Sequence, residues 1–409
     1  MASNTFDNLR APQFTFNYGQ QVAIDNAVNR VLRGDLTPIE ISGGAGTGKS
    51  TVMNEIKNRL NFSENRIAPM SYTGAATIVM KVKGFPNAAT IDSSLFEYVM
   101  QNVVDDEGNI IYDSYLGTPK QMFKRRPVHL QNKDVMFIDE GYMCPNNLKD
   151  QILKQRIPCV VCGDEQQLPP VGDKPAFLTD PSKILYLTET MRQKENSGIL
   201  YLADRAIKDL PIHHGFYGDS IVIYEDELDD STLLSADCII SGTNRTREML
   251  NNTVRKLLGY KGDLPNFGEK VICRKNNFLF EIDGINLCNG LAGTVVNHPS
   301  VEGYDGKAFT IDFKPDLCNG FFSGLQVDYK YFTGDIQMRK LIKNLPYSNG
   351  ELFEYGYCRT AHLSQGAEFQ KVIVFEEFLP NDMNKLRYVG ITRAKQALIY
   401  VKKRYGKFY

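Results

Sequence analysis

"ISGGAGTGKST", residues 41–51, follows the strand-like stretch TPIEIS (37–42) and runs into an amphipathic segment, so it reads as a glycine-rich loop between a buried strand and a helix. Gly43 to Ser50 fit the pattern Gly-x-x-x-x-Gly-Lys-Ser. Glycines let the backbone approach phosphates, and the loop amides and helix N-terminus supply positive potential. Lys49 is placed to reach the β- and γ-phosphates and Ser50 to ligate magnesium. Gly43, Gly44, Ala45, Gly46, Thr47, Gly48, Lys49, Ser50 and Thr51 are therefore candidate nucleotide-binding residues, with ATP and Mg²⁺ the expected cofactors.

Outward from this loop, short apolar runs alternate with amphipathic stretches, as in α/β layering around mostly parallel sheets. Strands are expected at 37–42, 66–70, 134–140, 157–164 and 183–187, and a second group at 236–242, 371–375 and 396–401. The gap between the groups implies a second α/β domain. Residues 286–350, rich in Gly, Asn, Phe and Tyr, read as a small all-β insertion, and VVDDEGNIIYDSY (103–115) reads as a hairpin followed by the basic residues Lys120, Lys124, Arg125 and Arg126.

The 409 residues are too many for one ordinary domain, and the 42% hydrophobic and 23% charged content is that of a globular chain. No apolar run is long enough to span a bilayer, and MASNTFDNLR lacks the apolar core of a signal peptide. A cytoplasmic protein is expected, with no membrane partner. Net charge is −1, so any nucleic acid must be held by a local groove. Cys159 and Cys162 have CxxC spacing, but with no second pair and no nearby histidine they read as part of a core strand.

DVMFIDE (134–140) ends a hydrophobic run with Asp139 and Glu140 side by side. Burying unpaired charge is costly, so adjacent carboxylates there point to a cation or a proton-transfer task. After a phosphate loop, Asp139 is the candidate metal ligand, shared with Ser50, and Glu140 the candidate general base. The next strand ends in GDEQQLPPV (163–171), and ligands of open parallel sheets bind at the carboxyl ends of strands, which gives Gln167 reach to a γ-phosphate.

In this order the segments resemble the motifs of superfamily 1 helicases, in the branch holding the RecD, Pif and phage Dda enzymes. Gln20 in FNYGQQVAIDNAV (16–28) resembles the adenine-reading glutamine, and SYTGAAT (71–77), with Thr73, the first strand-contacting motif. TIDSS (90–94), with Thr90, occupies the place of a Thr-Ile-His motif; Asp92 stands where the family has histidine, and a carboxylate repels phosphate. LTETMRQ (187–193) resembles the motif whose arginine, here Arg192, points at the γ-phosphate. RTAHLSQGAEF (359–369) implies strand contacts by Thr360 and His362 and nucleotide contacts near Gly366 and Glu368. RYVGITRAKQALIYV (387–401) implies Arg393 as an arginine finger.

The resemblance implies two RecA-like P-loop domains. The first is 1–94 with 132–194, interrupted by a hairpin insertion at 95–131; the second is 195–285 with 351–409, interrupted by an SH3-like β insertion at 286–350. It implies a monomeric ATP hydrolase that moves 5′ to 3′ on single-stranded DNA, acts at duplex junctions and works beside replication or recombination proteins, in the host cytoplasm if phage-encoded. A translocase that strips proteins with little unwinding fits the same motifs. A polynucleotide kinase would share Lys49, Ser50 and Asp139, but would not need the 359–369 motif or Arg393.

Overall fold

The computed structural model describes residues 15–105, 107–112, 119, 121–170, 173–177, 180–191, 197–300, 307–345, 348–377 and 382–404. In the first α/β domain six parallel strands lie in the order Ala89–Thr90, Ile67–Ser71, Val135–Asp139, Cys159–Gly163, Ile39–Gly43 and Leu185–Leu187. Their side chains alternate between two cores. Val160 and Cys162 pack with Ile39, Ile41 and Phe137 under the helices Tyr18–Leu32 and Lys49–Leu60. Cys159 and Val161 pack with Met136 and Ile138 against the helix Asn146–Lys154. The CxxC pair thus faces opposite sides of the sheet and cannot close on one ion, and burial pushes the Cys159 thiol up to about 12.

The second sheet orders Cys358–Thr360, Cys238–Ser241, Phe369–Phe375, Ala394–Lys402 and Ser220–Tyr224 in parallel, with Gly215–Tyr217 antiparallel at the edge. The chain is therefore the two-sheet α/β protein the sequence predicts. A five-stranded antiparallel sheet adjoins the second domain, in the order Phe322–Asp328, Ala308–Pro315, Ala292–Val295, Lys270–Cys273 and Phe353–Tyr355. The strands Lys270–Cys273 and Phe353–Tyr355 come from either side of the 286–350 segment, and their partners are distant in sequence. Phe309, Phe313, Phe322 and Phe353 fill its core, which is continuous with that of the second domain. Glu354 ties the two together through Arg247 and Arg274; burial raises its pKa, but these guanidiniums hold it down at about 2.

The hairpin insertion is longer in the stem than the sequence suggests. Phe96–Asn102 pairs with Gln121–Pro127, and beyond this stem Val104 bridges Ile110 around a turn in which Asp105 accepts from the Glu107 and Asn109 amides at 3.0 and 2.8 Å. Residue 106 and residues 113–118 and 120, which include Lys120, lie outside the described residues. At the stem's base Arg125 pairs with Asp92 at 2.5 Å and stacks 3.4 Å over Phe96, while the Tyr98 hydroxyl donates to Asp92. The carboxylate in the histidine's place is thus neutralised by the stem and roots it to the helix Ile91–Leu95.

Candidate nucleotide cleft and strand groove

Helix Lys49–Leu60 starts at Gly48, whose φ of 85° needs glycine and which makes no side-chain cap. The amides of its first turn are therefore left for an anion, whereas Asn17, Thr73, Ser197 and Thr243 cap the helices that follow them with their own oxygens. Lys49 Nζ donates to the Gly43 and Gly44 carbonyls at 2.6 and 3.1 Å, and Thr47 Oγ1 to the Gly44 carbonyl at 3.0 Å. Gln20 is buried: its Nε2 donates to the Thr47 carbonyl at 3.0 Å and its Oε1 accepts from the Asn17 amide at 3.2 Å, so it clamps the loop to the preceding helix.

A cleft of about 540 Å³ opens on this loop between the two α/β domains. It gathers Gly44, Ala45, Gly46, Gly48, Lys49, Ser50 and Thr51 with Asp139, Glu140 and Gln167 from the first domain and Gly366, Glu368 and Arg393 from the second. Asp139 and Glu140 end their strand at its floor. Loss of water raises both carboxyls; Lys49 opposes the shift at Asp139, and the neighbouring Asp139 charge adds to it at Glu140. Glu140 has φ 53° and ψ 35°, a left-handed conformation that costs a non-glycine residue about 1–2 kcal/mol and is kept where the site demands it. Gln167 is buried with its Oε1 free of any hydrogen bond among the described residues, an orphaned acceptor on the cleft wall. Arg192 lies outside the described residues, but its neighbour Met191 donates its amide to the Gly46 carbonyl at 2.8 Å.

Two cleft residues, and a third that touches the phosphate loop from behind it, carried no signal of their own in the sequence. Lys83 of the first domain and Lys395 of the second hold Glu368 at 3.5 and 3.1 Å, an ion pair that crosses the domain seam; burial works against the Glu368 charge, but the two lysines keep its pKa below the usual carboxylate range. Lys83 Nζ also reaches Ser50 Oγ at 3.5 Å. Tyr388, inside the last motif, meets the phosphate loop directly: its hydroxyl accepts from the Ala45 amide at 2.9 Å.

A second opening of about 670 Å³ lies on the other side of the same seam. Thr73, Thr360 and His362 line it together with Tyr72, Asn244 and Arg274. Thr90 is not among its lining residues; its hydroxyl accepts from the Ser93 amide at 3.1 Å. Three short segments reach both openings. In the helix Gly74–Val82 and its cap, Thr73 and Ala75 face the groove and Ala76 and Val79 the cleft; in the loop after Gly163, Pro169 and Pro170 face the groove and Gln167 the cleft; in 360–368, Thr360, His362 and Gln365 face the groove and Gly366 and Glu368 the cleft.

Gly366 marks a close approach across the seam. Its φ is 78°, and a Cβ there would sit 2.7 Å from Ala76 Cβ and 2.9 Å from Thr73 Oγ1. Gly366→Ala is expected to cost about 2 kcal/mol or more from left-handed strain and overpacking together, and to weaken coupling between the two openings. Urea unfolding and strand-stimulated hydrolysis, measured in parallel, check it; an unchanged midpoint with unchanged stimulation refutes the tight seam.

A family model described as an AAA domain matches residues 16–209, and one described as a UvrD-like helicase C-terminal domain matches residues 355–401. No curated protein matches the chain. Among solved structures the fold is similar to that of Pif1 helicase from Candida albicans, at 19% identity over 96% of this chain and 95% of that one, with a TM-score of 0.52. It is similar also to a Pif1 helicase structure describing unwinding at forked duplex DNA (15% identity, 95% and 92% covered, TM-score 0.51). A third is Pif1 helicase from Bacteroides in complex with ADP-AlF3 and single-stranded DNA (16% identity, 95% and 92% covered, TM-score 0.50). The AAA-domain model thus falls on the first α/β domain and the UvrD-like helicase C-terminal model on the second, and the chain shares the fold of the Pif1 helicases across nearly all of its length.

Proposed function

We propose that the chain is a DNA helicase that uses Mg²⁺-ATP to move 5′ to 3′ along a single strand and to open duplex junctions. The observation that carries this reading is the sharing of three segments between cleft and groove: whatever shifts Ala76, Gln167 or Gly366 on one side shifts Thr73, Pro169 or His362 on the other. The residues fit the nucleotide. The uncapped first turn and Lys49 are placed to hold the phosphates, Ser50 and Asp139 would hold a Mg²⁺ that would neutralise phosphate charge, and Gln167 offers its acceptor to the attacking water. Glu140 takes the proton from that water, and Arg393, carried by the second domain, stabilises the charge that develops at the γ-phosphate, so hydrolysis requires the domains to close and its completion lets them open.

The groove side supports a grip on any sequence. Thr73 and Thr360 cap helices from opposite domains at 3.1 and 3.3 Å; each hydroxyl oxygen is spent on its own helix, which leaves the hydroxyl proton to donate to a backbone phosphate. His362 is exposed on the groove, and crowding on its inner side lowers its pKa, which leaves it neutral at pH 7: a hydrogen-bonding or stacking partner rather than a cation. We assign the domains to 1–94 with 132–194 and 195–285 with 351–409, with insertions at 95–131 and 286–350. Steady-state ATP hydrolysis with and without a single-stranded oligonucleotide tests the reading. Strong stimulation supports it, and duplexes tailed at either end then report polarity; product on a small phosphate acceptor instead, without stimulation, means a kinase.

The hairpin insertion is the wedge. Val99, Met100, Val104, Ile110 and Tyr112 are all exposed along it, an apolar edge suited to a base pair being unstacked, which costs about 1.4 kcal/mol per step. Replacing residues 105–112 by a short Gly-Ser turn is expected to abolish strand separation in a forked-duplex assay while strand-stimulated ATPase persists; unwinding at the original rate rules the wedge out.

A further inference from the structure

Among contacts across the seam, one buried bridge has no place in the chemistry above. Tyr388 lies in the helix Met383–Thr392 of the second domain, 4% exposed, and its ring belongs to that domain's core with Leu386, Val389 and Ile391. Its hydroxyl crosses to the first domain, where it accepts from the Ala45 amide at 2.9 Å and donates to Asp164 Oδ2 at 2.7 Å. Asp164, also buried, is fixed at the end of the strand Cys159–Gly163; its Oδ1 accepts from the Gln166 amide at 3.0 Å and its carbonyl from the Gln167 amide at 3.1 Å. A phenol has one proton to give, and here it goes to a carboxylate, so the Ala45 N–H can only be the donor to it. The bridge is thus a three-part clasp: phosphate loop, finger helix, and the loop that carries Gln167.

Arg393 is the C-cap of that same helix, held there by the carbonyls of Val389 and Ala367. The distance from Tyr388 to Arg393 is set by rigid helix, so docking the phenol on Ala45 and Asp164 fixes where the guanidinium stands relative to the phosphates. We infer that Tyr388, acting with Asp164, is a positioning residue for hydrolysis: its hydroxyl registers the arginine-bearing helix and the Gln167 loop on the phosphate loop. This rests on the reading of Arg393 as the finger. Misplacement of a reacting group by about 1 Å costs about 10²-fold, which sets the scale of the effect.

Tyr388→Phe removes the hydroxyl and keeps the ring in its core. In the full chain with saturating single-stranded DNA, it is expected to lower kcat about 10- to 100-fold while the Kd for a fluorescent ATP analogue, measured separately, stays within about twofold. Asp164→Asn is expected to do the same, and the double variant to fall no further than the worse single one, since both break one clasp. Unchanged kcat in Y388F, additive losses in the double variant, or loss of kcat matched by loss of ATP affinity overturns the positioning role. If Y388F does not fold, Asp164→Asn carries the kcat-against-Kd test by itself. Arg393→Ala run alongside separates the two ideas: if R393A keeps its kcat, the finger reading fails; if R393A loses kcat and Y388F does not, only the clasp fails.

Discussion

Arg393→Ala lowers strand-stimulated ATP hydrolysis by about 10³-fold or more, the scale of a finger supplied from outside the phosphate-loop domain. Arg393 is only 6% exposed, and its guanidinium is spread over three acceptors of its own domain: the Val389 and Ala367 carbonyls, each at 3.1 Å, and Thr392 Oγ1 at 3.2 Å. It nevertheless lines the cleft, close enough to Glu140 to draw that carboxyl down. An arginine held by three carbonyl and hydroxyl oxygens, with no carboxylate paired to it among the described residues, keeps its charge for the ligand. Arg393→Lys is expected to restore little, because the planar fork that these acceptors hold has no counterpart in an ammonium. The check is kcat at saturating DNA together with the Kd of an ATP analogue: kcat collapses and Kd moves little. A kcat within tenfold of the unaltered protein would remove Arg393 from the reaction.

Glu140→Gln stops turnover while ATP still binds, with a loss of about 10²- to 10⁴-fold for removal of a general base. Glutamine has the same shape and tolerates the same backbone, so the φ of 53° at this position is not the variable under test. The pH profile gives an independent reading. Burial and the adjacent Asp139 charge both raise the Glu140 carboxyl, so in the free protein the base becomes protonated, and activity is lost, as pH falls through a value above the usual carboxylate range. A Mg²⁺ held by Asp139, as proposed, would take away part of that repulsion. The acid limb of kcat/KM, which reports the free protein, is therefore expected at higher pH than the acid limb of kcat, which reports the complex. Coincident limbs, or a limb that survives in E140Q, would assign the titration to another group.

The placement of these residues was legible to very different degrees. All eight expected strands are present, because each is an apolar run bounded by polar turns and its burial is dictated by composition. Ala89–Thr90, Gly215–Tyr217 and Cys358–Thr360 are two or three residues long, too short for periodicity, and exist as strands because a neighbour offers its edge. LQVDYKY alternates like a strand, yet Asp328 ends the strand Phe322–Asp328 and caps a helix by accepting from the Tyr331 amide at 2.8 Å. Asp92 reads in sequence as a carboxylate facing phosphate; in the fold Arg125, more than thirty positions on, has already neutralised it.

What the sequence by itself determined is the set of local chemistries: a glycine loop that frees amides, a lysine and serine beside them, two carboxylates at a strand end, and threonines that start helices. Each depends on neighbours within a few residues, where spacing fixes geometry. What only the tertiary structure decided is which of them share a space. The seam joins Lys83 and Lys395 to Glu368 in two ion pairs, seats Tyr388 on Ala45 and Asp164, leaves Gln167 with a free acceptor among the described residues, and leaves Thr90 off the groove lining. These contacts join residues far apart in the chain, and their partners are chosen by the packing of two sheets against each other, a property of the folded whole that no local pattern encodes.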